Sequence, residues 1–311
     1  MFLVAWISSS SSERSTRLAG ISLMLLAVFV FSVGDAMGKF LLATYAIGQF
    51  LWLRACAALL LLAPMIWRQK EHFAKLERPR LQLLRVVLAT SEVGSFFLAT
   101  VYLPLADVVT YYLACPIFVT ALSAIVLREQ VGYRRWSAVL IGFVGVLIAL
   151  HPSTDSFSWP ALIALCGSLS FAGLMLVTRQ LRGTPDVVMV ACQFVGTFLV
   201  GAALAPISWV VLTPRSYFLF AAAGMISVCA LLCVSRSLKL APASAVVPYQ
   251  YSQIFWAVLF GFVVFGDMPS PATLVGASII VVAGLYIPAR TKTGREQTAP
   301  SSVNESRPGE D

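Results

Sequence analysis

Asp35, Lys39, Arg54, Arg85 and Glu92 all fall inside long apolar runs of this 311-residue chain. A charge at a bilayer centre costs about 2.5–3.5 kcal/mol on insertion scales, so groups retained there pair with one another, hold a ligand or carry a proton. Asp35 and Lys39 stand four residues apart, a spacing that lets them pair on one helical face. At 1.5 Å per residue, Asp35 lies roughly 26 Å from the inner end of its run, while Arg54 enters the next run from the outer side by roughly 8 Å. The three groups are therefore expected to meet in the outer half. They would form either an ion-pair cluster locking the first two helices, or a site in which Arg54 or Lys39 meets a carboxylate and Asp35 orients the cation. Arg85 is close enough to the inner surface for its stem to carry the charge out to water. Glu92, about ten residues into its run, is too deep for that. It is either a proton carrier or amine ligand, or a carboxyl hydrogen-bonded within the bundle.

A second set is aromatic and amide-bearing. Tyr111, Tyr112, Pro116 and Phe118 answer to Pro248, Tyr249, Tyr251, Gln253 and Trp256 in a later run, and Gln193 takes roughly the place of Arg54. Tyr249, Gln250 and Gln253 cluster near Pro248, and a proline in a span frees a carbonyl that can line a cavity. Tyr111, Tyr249 and Trp256 are candidate stacking surfaces, and Gln193, Gln250 and Gln253 candidate orienting amides. Simple packing is the alternative for the aromatics.

The elements that must position these residues are membrane helices. The chain is 59% hydrophobic and 12% charged, against roughly 25% charge in soluble domains. Ten apolar runs, 18–43, 49–67, 82–103, 108–127, 136–150, 159–178, 187–211, 217–235, 245–265 and 272–288, approach or exceed the roughly 20 residues that span a bilayer. In hydrocarbon the backbone must bond within its own segment, so the fold class is an all-α integral membrane protein. Of the 22 Lys and Arg, only Lys39, Arg54, Arg85 and Arg215 fall outside the segments assigned to one side. The positive-inside rule makes that side cytoplasmic, with both termini, in an inner membrane. The +8 net charge then reflects topology, and no nucleic-acid partner is implied.

Residues 103–150 and 240–287 share an order of features: a Pro/Ala linker, an aromatic span, an acidic turn at Glu129 or Asp267, and a closing span with Gly142 and Gly145 or Gly276 and Gly284. The predicted units are an N-terminal cytoplasmic tail over 1–17, a five-helix repeat over 18–150, a second over 159–288 and a disordered cytoplasmic tail over 289–311. Five spans per unit force the second copy to enter inverted, an arrangement usual among secondary transporters. The glycines are read as points of close helix approach. Met1–Ile7 is too short for a signal segment. Cys56, Cys115, Cys166, Cys192, Cys229 and Cys233 form no CxxC pair and read as packing residues; no metal or cofactor is expected.

Pro248–Trp256 (PYQYSQIFW) continuing to Phe265-Gly-Asp-Met-Pro269 resembles the drug/metabolite transporter superfamily, in its ten-helix EamA-type branch. Gly34-Asp35-Ala36 through Lys39, Arg54, Leu103–Asp107 and Arg128-Glu129 to Trp136 carry the same likeness, which covers about 18–288. The resemblance implies transport, among relatives described as moving amino acids, riboflavin, S-adenosylmethionine or opine-type metal chelators. Glu92 departs from it, because the third helix of relatives is usually apolar or small there, and points to a cationic or amine-bearing group. The expected function is secondary transport of a small polar metabolite by alternating access: an amino-acid-like zwitterion or amine-bearing compound, exported. The alternative is import of a heterocycle such as riboflavin or S-adenosylmethionine, with proton coupling, exchange and uniport all open. Other classes fit less well. The sequence has no GxxxxGK[ST] motif for ATP, and His72 and His151 lie in loops, which argues against a Ser–His enzyme in the membrane. A scaffold would not need converging polar groups.

Overall fold

The computed structural model describes the backbone of residues 2–74, 78–126, 133–150, 159–181, 183–240 and 247–289, and side chains from Thr16 onward for most of these. Among them there is no strand; every extended element is helical. The helices are α1 (Phe2–Leu42), α2 (Ile47–Arg68), a short α3 (Lys70–Ala74), α4 (Pro79–Tyr102), α5 (Leu105–Tyr112), α6 (Cys115–Val126), α7 (Tyr133–Leu150), α8 (Trp159–Gln180), α9 (Asp186–Leu204), α10 (Pro214–Leu240), α11 (Gln253–Phe260) and α12 (Pro271–Ala289). Among the described residues six stretches are long and apolar enough to cross a membrane: Leu18–Leu42, Ile47–Arg68, Pro79–Tyr102, Trp159–Thr178, Asp186–Ser208 and Pro214–Ser237. Leu105–Val119, Leu140–Ala149, Tyr249–Phe265 and Pro271–Ala283 are shorter apolar segments. α1 also continues through residues 2–17, a segment without Gly or Pro to stop it.

Two expected spans are interrupted. The run 108–127 breaks at Leu113-Ala114, where the amide of Ala114 bonds back three residues to Tyr111. Pro116 has no N–H to give the carbonyl of Tyr112, and its ring would crowd that carbonyl in a continuous helix. The run 245–265 is a 3₁₀ turn over Val247–Ser252, then α11, then one π-turn over Gly261–Phe265. Such departures from α geometry recur at functional sites. The run 187–211 also stops early, in a 3₁₀ turn over Ala205–Ser208 that contains Pro206.

Packing joins early helices to late ones. The most extensive neighbours are α1 with α10, α2 with α9, α4 with α8 and α7 with α12. At the α7–α12 seam Gly145 and Gly276 meet backbone to backbone, and a Cβ on Gly276 would stand 2.6 Å from the Gly145 carbonyl oxygen. That is the close approach expected of these glycines; the surroundings of Gly284 lie outside the described residues. Gly224 does the same for α10 against α2, where a Cβ would come 2.6 Å from the carbonyl oxygen of Arg54. The main core, around Phe50, Phe97, Val108, Tyr111, Tyr251 and Ile280, fills the space between these pairs. Outward faces are apolar, as a bilayer solvent requires.

Candidate functional site

Arg54 is the centre of the polar interior. Only 8% of it is exposed, and its Nε donates to Ser227 Oγ of α10 at 2.8 Å. The Ser227 hydroxyl donates onward to the Ala223 carbonyl at 2.7 Å. The guanidinium carbon lies 5.0 Å from the centre of the Phe97 ring and 5.9 Å from that of Phe50, and the two rings pack edge to face at 4.7 Å. An aromatic face attracts a cation through its quadrupole, so these rings hold the plane of the guanidinium. Its Nη1 is buried and has no partner among the described residues. Close approach at Gly224 brings Ser227 within reach, one turn further along α10.

Two carboxylates face this cation without touching it. Asp35 on α1 and Glu92 on α4 are both within electrostatic reach of Arg54 and of each other. Asp35 Oδ2 accepts from Gln253 Nε2 of α11 at 3.1 Å. No donor among the described residues reaches the Glu92 carboxylate, although the Glu92 backbone carbonyl accepts from Tyr112 Oη at 2.9 Å. Cys115, at the start of α6, is buried close by. One guanidinium with an idle N–H edge thus confronts two carboxylates, one of them idle. Such a set can receive an oxyanion at Nη1 and an ammonium or a proton at Glu92. Among the described residues no group of three His, Cys, Asp or Glu is placed to hold a metal ion.

Three sequence expectations need correction. Lys39 does not pair with Asp35: its Nζ bonds Asp267 Oδ2 at 2.7 Å and the Leu103 carbonyl at 3.2 Å. The lysine sits in the last turn of α1, where its stem reaches the connection ahead of α12. The three groups expected to meet are therefore two, Asp35 and Arg54, and Glu92 takes the third place. Arg85 does not turn out to water. It is 6% exposed and donates from Nε to Thr178 Oγ1 at 3.0 Å and from Nη1 to the Met189 carbonyl at 2.8 Å, tying α4 to α8 and α9.

The other candidates scatter. Tyr111 is buried in the apolar core, and Tyr112 is the tyrosine that reaches Glu92. Gln193 is buried on α9, its amide unbonded to described residues. Tyr249 is 38% exposed; Gln250 is half-buried in the same 3₁₀ turn. Trp256 packs edge to face on Phe29 at 4.8 Å, against α1. Ser227 and Phe97 were missed; a hydroxyl three residues after Gly224, in the apolar middle of α10, was the available signal for the first. A cleft of about 660 Å³ lies elsewhere, between α11 and α12, lined by apolar residues such as Phe255, Phe262 and Leu274 that are exposed on the bundle's outer face.

An all-helical bundle with membrane-length apolar helices around a charged, partly unpaired centre defines a multi-pass membrane protein. A profile of the EamA-like transporter family matches residues 18–150 and again 158–287, so the chain belongs to that family, within the drug/metabolite transporter superfamily. It is 25% identical over 278 residues to an S-adenosylmethionine uptake transporter of Rickettsia felis, covering 88% of this chain and 93% of the relative. It is 28% identical over 285 residues to a riboflavin transporter of Rhizobium johnstonii (90% and 94% covered). Against a pseudopaline exporter of Pseudomonas aeruginosa the identity is 27% over 281 residues (89% and 98% covered). A solved crystal structure superposes with a TM-score of 0.62 at 14% identity, covering 92% of this chain and 99% of the other. The protein is a membrane transporter of the inner membrane.

Proposed function

We propose that this protein is a secondary transporter that moves an amino-acid-like zwitterion or amine-bearing metabolite outward by alternating access. The carrying observation is a buried Arg54 Nη1 without a partner among the described residues, within electrostatic reach of the Glu92 carboxylate. A ligand carboxylate would take the guanidinium edge and its amine would take Glu92, with Asp35 held back by Gln253. Ligand binding would thus supply the hydrogen bonds that the site lacks, and unmade bonds of buried charged groups are costly.

The transport mode rests on topology. The reading is ten crossings in two inverted five-helix units, 18–150 and 159–288, with both ends cytoplasmic. Mapping α1, α2, α4 and α7 onto α8, α9, α10 and α12 exchanges the α1–α10 and α4–α8 contacts and returns α2–α9 and α7–α12 to themselves. Any two-fold axis has that signature, and five crossings per unit would put it in the membrane plane. Exposed Arg68, Lys70, Arg78, Arg80 and Arg236 gather at one end, Arg215 at the other, which supports the orientation.

A second reading is import of a heterocyclic ligand, favoured by the relatives named for S-adenosylmethionine uptake and riboflavin transport. Proteoliposome exchange with phenylalanine, S-adenosylmethionine and riboflavin separates the two. Under the first reading Glu92→Gln lowers exchange of the amine-bearing probes by roughly tenfold or more, the loss of one charged hydrogen bond, and removes its pH dependence. Riboflavin exchange that is robust and unchanged in Glu92→Gln would overturn that reading in favour of the second.

A further inference from the structure

The Lys39–Asp267 pair stands one turn beyond Asp35 along α1, about 6 Å further toward the helix end. It joins parts of the chain that lie 228 residues apart. Lys39 also caps the carbonyl of Leu103 at the end of α4 and lies 4.9 Å from the centre of the Phe265 ring. One ammonium therefore ties α1, α4 and the connection leading into α12. The pair is partly open to solvent, with side-chain exposures of 15% and 35%.

A third charge makes the arrangement two-sided. Asp107, in the first turn of α5, is within electrostatic reach of both Lys39 and Asp267. Its carboxyl is hydrogen-bonded to Thr273 at the start of α12, while its Oδ1 is buried and without a partner among the described residues. Two carboxylates thus share one lysine, and only one of them holds it. Other ties at this end, Gln49 to the Val210 backbone and Tyr45 to Ser216 and Thr213, involve neutral groups. A contact that can be exchanged for an equivalent one is what a two-state element needs.

Building on alternating access, we infer that Lys39, Asp267 and Asp107 form the latch at this end of the transport path. It is closed here on Asp267, and it opens when the ammonium crosses to Asp107. Asp267 then swings away with the α11–α12 connection, uncovering the Arg54–Glu92 centre, while Lys39 stays bound to its own half of the chain.

Cys115, buried beside Glu92, is a native reporter. In full-length protein with Cys56, Cys166, Cys192, Cys229 and Cys233 replaced by serine, an impermeant maleimide is applied to right-side-out and inside-out membrane vesicles. Asp267→Asn is expected to speed Cys115 labelling from one face by roughly three- to tenfold, the scale of one partly exposed ion pair. Asp107→Asn is expected to slow it below the parent, because the second resting place is gone. Lys39→Asp combined with Asp267→Lys should restore slow labelling, which separates a latch from general loosening. Unchanged labelling in Asp267→Asn from both faces, or faster labelling in Asp107→Asn, overturns the inference. Acceleration seen only in inside-out vesicles keeps the latch and overturns the proposed orientation. Acceleration from both faces at once means a leaky bundle, and overturns both the latch and alternating access.

Discussion

Replacing Arg54 by lysine separates its charge from its geometry. In the folded protein the guanidinium has three commitments: the Ser227 bond at 2.8 Å, the Phe97 ring at 5.0 Å, and the field shared with Asp35 and Glu92. The first contributes about 1.5–3 kcal/mol as a charge-assisted bond and the second about 0.5–2 kcal/mol. Lysine keeps the positive charge that balances the carboxylates, so the bundle should assemble at a modest cost. It cannot keep Ser227 and present a planar second edge at the same time. A ligand carboxylate that uses Nη1 then loses one charge-assisted bond, or roughly 10- to 150-fold in affinity. Arg54→Met is the structural contrast, since it leaves two buried carboxylates without a cation at about 3–5 kcal/mol, and should fail to accumulate as folded protein. The assay is ligand-induced thermal shift in detergent together with proteoliposome exchange of the same probes. Arg54→Lys protein that folds, binds and exchanges every probe as the parent does would refute the assignment of Nη1 to the ligand.

Arg85→Ala removes two bonds of a buried charged donor and should lower thermal stability by about 3–6 kcal/mol; parental stability would mean that the side chain reaches water after all. Gly276→Leu drives a side chain into the Gly145 carbonyl and Ala149, backbone that cannot yield, at about 1–3 kcal/mol or more. It should part α7 from α12, seen as a lower thermal unfolding temperature in detergent, whereas Gly94→Ala, in open space, should not lower it.

The helical membrane architecture was legible because composition and run length depend only on the solvent. The glycine seam was legible too, since small residues at one spacing in two separated segments mark close approach. The breaks at Leu113-Ala114 and across Val247–Phe265 were harder to see. Apolar runs continue through both, and hydropathy does not register a missing amide hydrogen at Pro116. Charge partners were the least legible. Helical periodicity names only neighbours on the same helix, so Asp35 was given to Lys39, while the real partners are Gln253 and Asp267, more than two hundred residues away. Arg85 was misread for the same reason: depth alone suggested water, and Thr178 and Met189 belong to helices whose approach no single segment encodes. Arg54 and Glu92 stand out from the sequence because their cost in lipid is intrinsic, whatever surrounds them.

The seam between α7 and α12 has a mechanical side. Two helices in backbone contact along glycines resist sliding and splaying, and behave as one strut. Non-α segments lie elsewhere, at 113–114, 205–208, 247–252 and 261–265, where missing or altered hydrogen bonds lower the bending stiffness. Stiffness and compliance are thus divided along the chain, between a braced strut and separate joints.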